Sequence, residues 1–348
     1  MKSPVILIGE SAFPEAQLFF DKFQNEKIFI LVDINTKKYC LDVFLSCFPS
    51  LKKSIVLELN DGESIKTIST ISLLSNQLIK YGAEKKSLLI NLGGGVISDL
   101  GGFLASVFNR GINFVNIPTT LLSQVDASIG GKTGVNFNHI KNKLGFFYNP
   151  GLVLIIPFFL RTLSKNEFIS GFGEIFKYSL IYDKDMWDIL KKTKFKLDSK
   201  LEDLISQSII IKKNIVKKDP FDNNVRKVLN FGHTIGHAIE SAYFHNSKFN
   251  HGICVVIGMI CESYISNKLN CLSESVFISI YSELMCKFPL PKVENIEKVL
   301  SFIKSDKKNE KNEIKIITIS QIGKANFDVS VSENYLKESL IFFNSLHE

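Results

Sequence analysis

Four of the chain's six histidines, His233, His237, His245 and His251, fall between positions 233 and 251. His233 and His237 stand four apart in Asn230-Phe231-Gly232-His233-Thr234-Ile235-Gly236-His237, so a helix there places both imidazoles on one face. His251-Gly252 opens a further apolar stretch. Upstream, Gly173-Glu174-Ile175-Phe176-Lys177 sets a carboxylate and an ammonium one turn apart. A lone histidine is commonly structural, whereas this cluster with a glutamate suits a three-ligand catalytic zinc site with an open position. Spacing alone nominates both His233 and His237 as ligands.

A second group points to phosphate chemistry. In Leu89 to Phe103 an apolar strand runs into Gly93-Gly94-Gly95 and then a helix containing Asp99. Glycines let a backbone approach a pyrophosphate, and a helix N-terminus offers oriented N–H donors. The stretch is not GxGxxG, and a plain tight strand–helix turn remains the alternative. Next, Thr119-Thr120, Asp126 and Gly130-Gly131-Lys132-Thr133 crowd into one segment. A Walker loop is excluded, because the earlier glycine it requires falls at Asp126. A buried Asp126 beside Lys132 instead suits a polyhydroxylated, phosphorylated ligand.

These groups need a scaffold. Val5–Ile8, Ile28–Val32, Ile55–Leu59, Leu88–Leu92, Phe114–Ile117 and Leu152–Ile156 have strand length and β-branched content. Ala16–Phe23 and Ile68–Leu78, lying between strands, show helical spacing. Such alternation predicts a largely parallel sheet covered on both faces. Beyond Ser164 the pattern becomes helical, over Phe168–Ile181, Leu201–Lys217 and His233–Ala242, and only Ile314–Ile319 there is strongly strand-like. The expected fold class is therefore an N-terminal α/β, Rossmann-like nucleotide-binding domain over 1–163, and a mostly α-helical metal- and substrate-binding domain over 164–348.

Composition narrows the function. A chain of 348 residues with 45% hydrophobic and 22% charged residues has ordinary globular composition, not that of a disordered chain. Its net charge of +7 comes from dispersed lysines, with no basic arm carrying spaced aromatics, so no nucleic-acid partner is expected. The longest low-charge window, Ser87–Phe108, is broken by glycines and Asp99, so no membrane span is expected either. The apolar run before Glu10 is too short for a signal-peptide core, and the six cysteines show no disulfide spacing. The expected compartment is the cytoplasm. Of 42 basic residues only Arg110, Arg161 and Arg226 are arginine. A chain so biased to lysine should keep arginine where a planar fork is needed, as for phosphate or carboxylate.

Taken together, the segments Gly93–Gly134 and Lys212–Gly252 closely resemble the 3-dehydroquinate synthase family, with a match running from about Asp33 to Lys315. The resemblance implies a homodimeric shikimate-pathway enzyme using NAD and one divalent metal, zinc or cobalt. Its substrate would be the sugar-acid phosphate 3-deoxy-D-arabino-heptulosonate 7-phosphate. Transient oxidation, phosphate elimination, re-reduction, ring opening and aldol closure give 3-dehydroquinate. Carried over by position, the cofactor site comprises Asp33, Asn35, Glu63, Lys66, Gly94, Gly95, Val96, Asp99, Thr119, Thr120 and the run Phe159, Leu160, Arg161, Thr162. Lys132 and Lys141 also border the cofactor.

The metal ligands implied are Glu174, His233 and His251, which makes His237 an acid/base group instead of a ligand. Asp126, Lys132, Lys177 and Asp222 join His237 as catalytic candidates. Lys141, Asn142, Lys212, Arg226, Asn230, Lys307 and Lys308 are implied to meet the substrate, with Arg110 reaching its phosphate from the neighbouring subunit. The chain departs from the family at Asp222 (usually Glu), Ile253 (usually Glu), Ser170 (usually Asn), Ser164 (commonly Pro) and Ile156 (commonly Asp). A deoxy-inosose or valiolone cyclase and a metal-dependent polyol dehydrogenase are the enzymatic alternatives. A binding protein with decayed motifs is the non-catalytic one.

Overall fold

The computed structural model describes residues 3–138, 140–244, 246–306 and 314–348. The chain forms two compact units, 1–164 and 165–348.

In the first unit, strands β1 (Val5–Ile8), β2 (Ile28–Asp33), β3 (Ile55–Leu59), β4 (Leu88–Gly93), β5 (Asn113–Pro118) and β8 (Leu152–Ile155) make one sheet. Its order is β1-β8-β5-β4-β2-β3, and every pairing is parallel. The central β4 is buried throughout, as expected for a strand covered on both faces. On one face, Phe20, Phe44 and Phe48 pack under β2, β4 and β5. On the other, Ile71, Leu74 and Leu78 of the helix Ile68–Lys80 meet Ile97, Leu100 and Leu104 of the helix Gly95–Val107. Beside the sheet lies an antiparallel hairpin, β6 (Lys132–Phe137) and β7 (Ile140–Phe147). The sequence pattern predicts no strand over this segment. β7 is largely exposed and carries Lys141, Asn142 and Lys143, so it has no apolar run to announce it.

The second unit is helical, with a second antiparallel hairpin, β9 (Ile314–Gln321) and β10 (Lys324–Val331). β10 was not legible for the same reason as β7: its side chains are mostly solvated. At the centre runs the helix His251–Lys268, in which every residue from Gly252 to Ser263 is buried. A helix apolar on all sides is a core helix. Among the described residues, no helix is long and apolar enough to cross a membrane.

The helices Lys165–Ile181, His233–Ala242 and His251–Lys268 approach one another backbone to backbone, and glycine makes this possible. A Cβ on Gly252 would sit 2.0 Å from the Ser170 carbonyl oxygen, and one on Gly258 1.9 Å from that of Gly232. Cβ atoms on Gly173 and Gly236 would lie 2.8 Å and 2.9 Å from the carbonyls of Gly252 and Cys254. Gly232 itself has φ +78°, a left-handed conformation that starts the His233 helix. Gly258→Ala should therefore cost about 1–3 kcal/mol of unfolding free energy, the range for overpacking a tight core. Chemical denaturation measures it, and an unchanged midpoint would show that these helices separate freely.

Candidate active site

Each residue nominated for metal binding adjoins one of these glycines: Gly173-Glu174, Gly232-His233 and His251-Gly252. Close helix contact thus drives the three side chains together. Glu174 is 0% exposed, and its Oε1 lies 3.4 Å from His233 Nε2 and 3.7 Å from His251 Nε2. Its other oxygen pairs with the Lys177 ammonium, also buried, one turn along the helix. Ligand atoms at ~2.1 Å from a tetrahedral ion stand ~3.4 Å apart, so these separations fit a divalent metal.

Each imidazole is oriented through its far nitrogen. Nδ1 of His233 donates to the Phe231 carbonyl at 3.1 Å, and Nδ1 of His251 faces Glu240 Oε2 at 3.3 Å. Both leave Nε2 turned toward Glu174, the arrangement in which outer partners set ligand tautomer and basicity. Burial, with Lys177 nearby, holds His233 well below the usual imidazole range and hence neutral. Burial also works to lower His251, but Glu240 and Glu174 prevail and raise it to about 10. A cation at this point must displace that proton.

His237 belongs to the same cluster. One donor atom from each of His233, His237 and His251 lies within 4.8 Å of the others, so three imidazoles are geometrically a second ligand set. The two sets share His233 and His251. The contrast lies in exposure, since Glu174 is fully enclosed whereas His237 is exposed. A buried carboxylate needs positive charge around it, and Lys177 reaches one of its oxygens.

Several contributing residues were missed by the sequence reading. Glu240 is the partner of His251, and its position three after His237 on one helix was the available signal. Buried Glu262 accepts the Gly232 N–H at 2.9 Å, fixing the start of the His233 helix. Ser170, one of the departures, uses its hydroxyl to accept the Gly252 N–H at 2.9 Å and so ties the Glu174 and His251 helices. Ile253, another departure, is buried, and Glu240 supplies the carboxylate beside His251.

Arg226 and Lys212 are both buried, at 2% and 5% exposure. The Arg226 loop is organised by Asp219, which the sequence reading also missed. Asp219 accepts the backbone N–H groups of Asn223, Asn224 and Arg226 at 3.1, 2.7 and 3.1 Å. Arg226 Nη1 donates to the Pro220 carbonyl at 2.8 Å. Asp222 holds φ +61° in this loop, and Asn230 ends the short helical turn that follows. Lys307 and Lys308 lie outside the described residues.

In the first unit, the strand, glycine turn and helix occur as read. Gly94 passes Thr120 so closely that a Cβ would stand 3.0 Å from Thr120 Cγ2, and the Thr119 N–H donates to the Gly93 carbonyl at 3.1 Å. Gly95, Val96 and Asp99 are half-buried on the helix that follows. Lys66 pairs with Asp99 at 2.6 Å and donates to the Asn142 side-chain oxygen. Asn136 extends the network, donating to Glu63 at 2.8 Å and accepting the Asn142 N–H at 2.9 Å. Asn142 therefore joins Glu63, Lys66 and Asp99, three residues nominated for the cofactor, in one hydrogen-bonded network. Asp33 caps the next turn in a capping box with Thr36, and Asn35 donates to Asp61 at 2.9 Å.

One expectation needs correcting. Asp126 is half-buried, not buried, and Lys132 is exposed at the start of β6. Phe159 and Leu160 point into the core at 3% and 4% exposure, so only their backbone is available to a ligand, while Arg161 stacks over Phe158 at 4.5 Å. Arg110 is exposed just before β5, whereas the glycine turn follows β4 at the opposite ends of these parallel strands. Six residues of strand, roughly 20 Å, separate the two.

A parallel sheet with a glycine turn, and a helical unit carrying a glutamate–histidine cluster, define an α/β protein with a candidate metal centre. The chain belongs to the 3-dehydroquinate synthase family: models of that family's N-terminal and C-terminal parts match residues 56–170 and 171–309. It is 39% identical to the 3-dehydroquinate synthase of Clostridium beijerinckii, over 99% of this chain and all of that one. Its activity is accordingly 3-dehydroquinate synthesis, a step of the shikimate pathway. Among solved structures it is similar to a 2-deoxy-scyllo-inosose synthase complexed with carbaglucose-6-phosphate, NAD+ and Co2+, with TM-score 0.87 and 24% identity over 97% of this chain and 98% of that one. A 2-epi-5-epi-valiolone synthase from Streptomyces hygroscopicus with NAD+ and Zn2+ bound gives TM-score 0.87 and 22% identity over 99% and 98%.

The Glu240 contact has a measurable consequence in the metal-free protein. Because the folded-state pKa of His251 is raised, its protonation adds stability in full below about pH 6.5, lost as pH rises toward about 10. Glu240→Gln should lower the His251 titration and shrink that loss, as read by histidine ring-proton NMR and by denaturation across the same range. An unshifted titration would mean that Glu240 does not hold the ring.

Proposed function

We propose that the chain converts 3-deoxy-D-arabino-heptulosonate 7-phosphate to 3-dehydroquinate and phosphate with bound NAD and one divalent ion, zinc or cobalt. The observation that carries this reading is the convergence of Glu174 Oε1 with Nε2 of both His233 and His251. Two imidazoles and one carboxylate are a donor set for a catalytic ion with an open position. Bound there, the ion would supply Lewis-acid polarisation of a hydroxyl, and NAD would supply a reversible hydride acceptor.

The protein's own groups do the rest. His237, exposed beside the ligand pair, exchanges the proton of the reacting hydroxyl. Lys177 balances Glu174 and keeps a positive charge near the alkoxide that forms. Asp126 and Lys132 grip ring hydroxyls. Lys212 and Arg226 clamp the substrate carboxylate with Asn230 beside them, and Asp222 relays protons at the same loop. An ammonium and a guanidinium together match a carboxylate, which favours a keto-acid phosphate over a sugar phosphate that has no carboxylate. Glu63, Lys66, Asp99, Asn142, the glycine turn, Thr119 and Thr120 hold NAD at the carboxyl ends of the strands, where such sheets take their ligands.

Arg110 stands at the other ends of those strands and serves the phosphate bound by a second copy of the chain. The working form is therefore a homodimer. We place it in the cytoplasm, where the six free cysteines stay reduced.

With that substrate the purified protein should release phosphate without net NADH accumulation. Chelation should abolish the release, and zinc or cobalt should restore it. His251→Ala should lose the metal by elemental analysis, whereas His237→Ala should retain it while losing on the order of 100-fold in kcat. Metal loss in His237→Ala with retention in His251→Ala would reverse their roles.

A further inference from the structure

We infer that Lys85, a residue outside every group described so far, is the positioning residue for Arg110. The inference rests on the reading that Arg110 serves the substrate phosphate.

Three consecutive residues before β5 adopt left-handed backbone: Asn109 at φ 48°, Arg110 at 57° and Gly111 at 102°. Glycine takes such a conformation freely and asparagine tolerates it, but arginine gains nothing from it. Strained backbone of this kind persists where its surroundings over-determine it. Here the run turns the carbonyls of Asn109, Arg110 and Gly111 toward one point, and the Lys85 ammonium occupies that point. Nζ donates to the Asn109 carbonyl at 3.0 Å, to that of Arg110 at 2.8 Å and to that of Gly111. All three ammonium protons are thus spent on one turn.

Sheet register explains why Lys85 is the residue that reaches it. Leu88 of β4 pairs with Asn113 of β5, so the residues three before each strand stand side by side. Tyr148 closes the far side: its hydroxyl donates to the Ile112 carbonyl at 3.1 Å, and a Cβ on Gly111 would come within 2.9 Å of that hydroxyl. The turn is held from both sides while the Arg110 side chain remains exposed. An arginine on a pinned turn keeps its guanidinium preorganised for a phosphate, so the expected signature lies in substrate affinity more than in turnover.

Kinetics of the intact enzyme in a double-mutant cycle test this. Lys85→Met should raise KM roughly 10-fold with kcat within about twofold, because positioning for ground-state binding is lost. Lys85→Arg, which keeps several donors, should stay near the parent. In an Arg110→Ala background Lys85→Met should add nothing further. An unchanged KM in Lys85→Met, or a full additional loss on top of Arg110→Ala, would overturn the Lys85 assignment while leaving the role of Arg110 intact. An Arg110→Ala enzyme with the parent KM would instead remove the phosphate reading, and the positioning role with it.

Discussion

The site depends on one steric constraint, the contact of three helix backbones with no side chain between them. Gly173, Gly232, Gly236, Gly252 and Gly258 are where a Cβ would strike a neighbouring helix. Four of them adjoin Glu174, His233, His237 or His251 in the chain. Because these side chains leave their helices beside the closest contacts, they have little choice but to meet. Ordinary helix packing, with side-chain ridges in grooves, holds axes 8–10 Å apart and would spread the same residues. The core helix His251–Lys268 tolerates the arrangement because it is buried on all sides and has no solvent face to keep.

Such closeness assembles charge inside the protein, and the second unit balances it locally. Glu174 is set against Lys177, His251 against Glu240, and Glu262 against the Gly232 N–H at the start of the His233 helix. Asp219 does the same for the Arg226 loop by accepting three backbone donors. A buried charge lacking such a partner is strongly destabilising. The pairs therefore serve the fold first, and chemistry uses what they hold in place.

Residues that carry a local signal were legible in sequence. The six parallel strands, the glycine turn after β4 and the His233–Ala242 helix all follow from short-range pattern, and the structure has them within a residue or two. The exposed hairpin strands β7 and β10 lack that pattern, so they were not seen. Site residues divide along the same line. His233, His237 and His251 announce themselves by type and spacing, whereas choosing between Glu174 and His237 as the third ligand required resemblance to a family. Glu240, Asp219 and Asn136 act through partners that only folding brings near, and Lys85 reaches Arg110 only because β4 and β5 lie in register. The contact of Asn142 with Lys66, remote in sequence, was hidden for the same reason.

We propose as the central claim that the fully enclosed Glu174, not the exposed His237, is the third member of the metal centre. X-ray absorption on the zinc-loaded protein addresses it directly, since outer-shell scattering counts imidazoles. The account predicts two imidazole nitrogens at ~2.0–2.1 Å with oxygen donors at ~2.0–2.2 Å completing the shell, and loss of one oxygen scatterer or of the metal in Glu174→Ala. Three imidazoles around the ion, unchanged in Glu174→Ala, would contradict it.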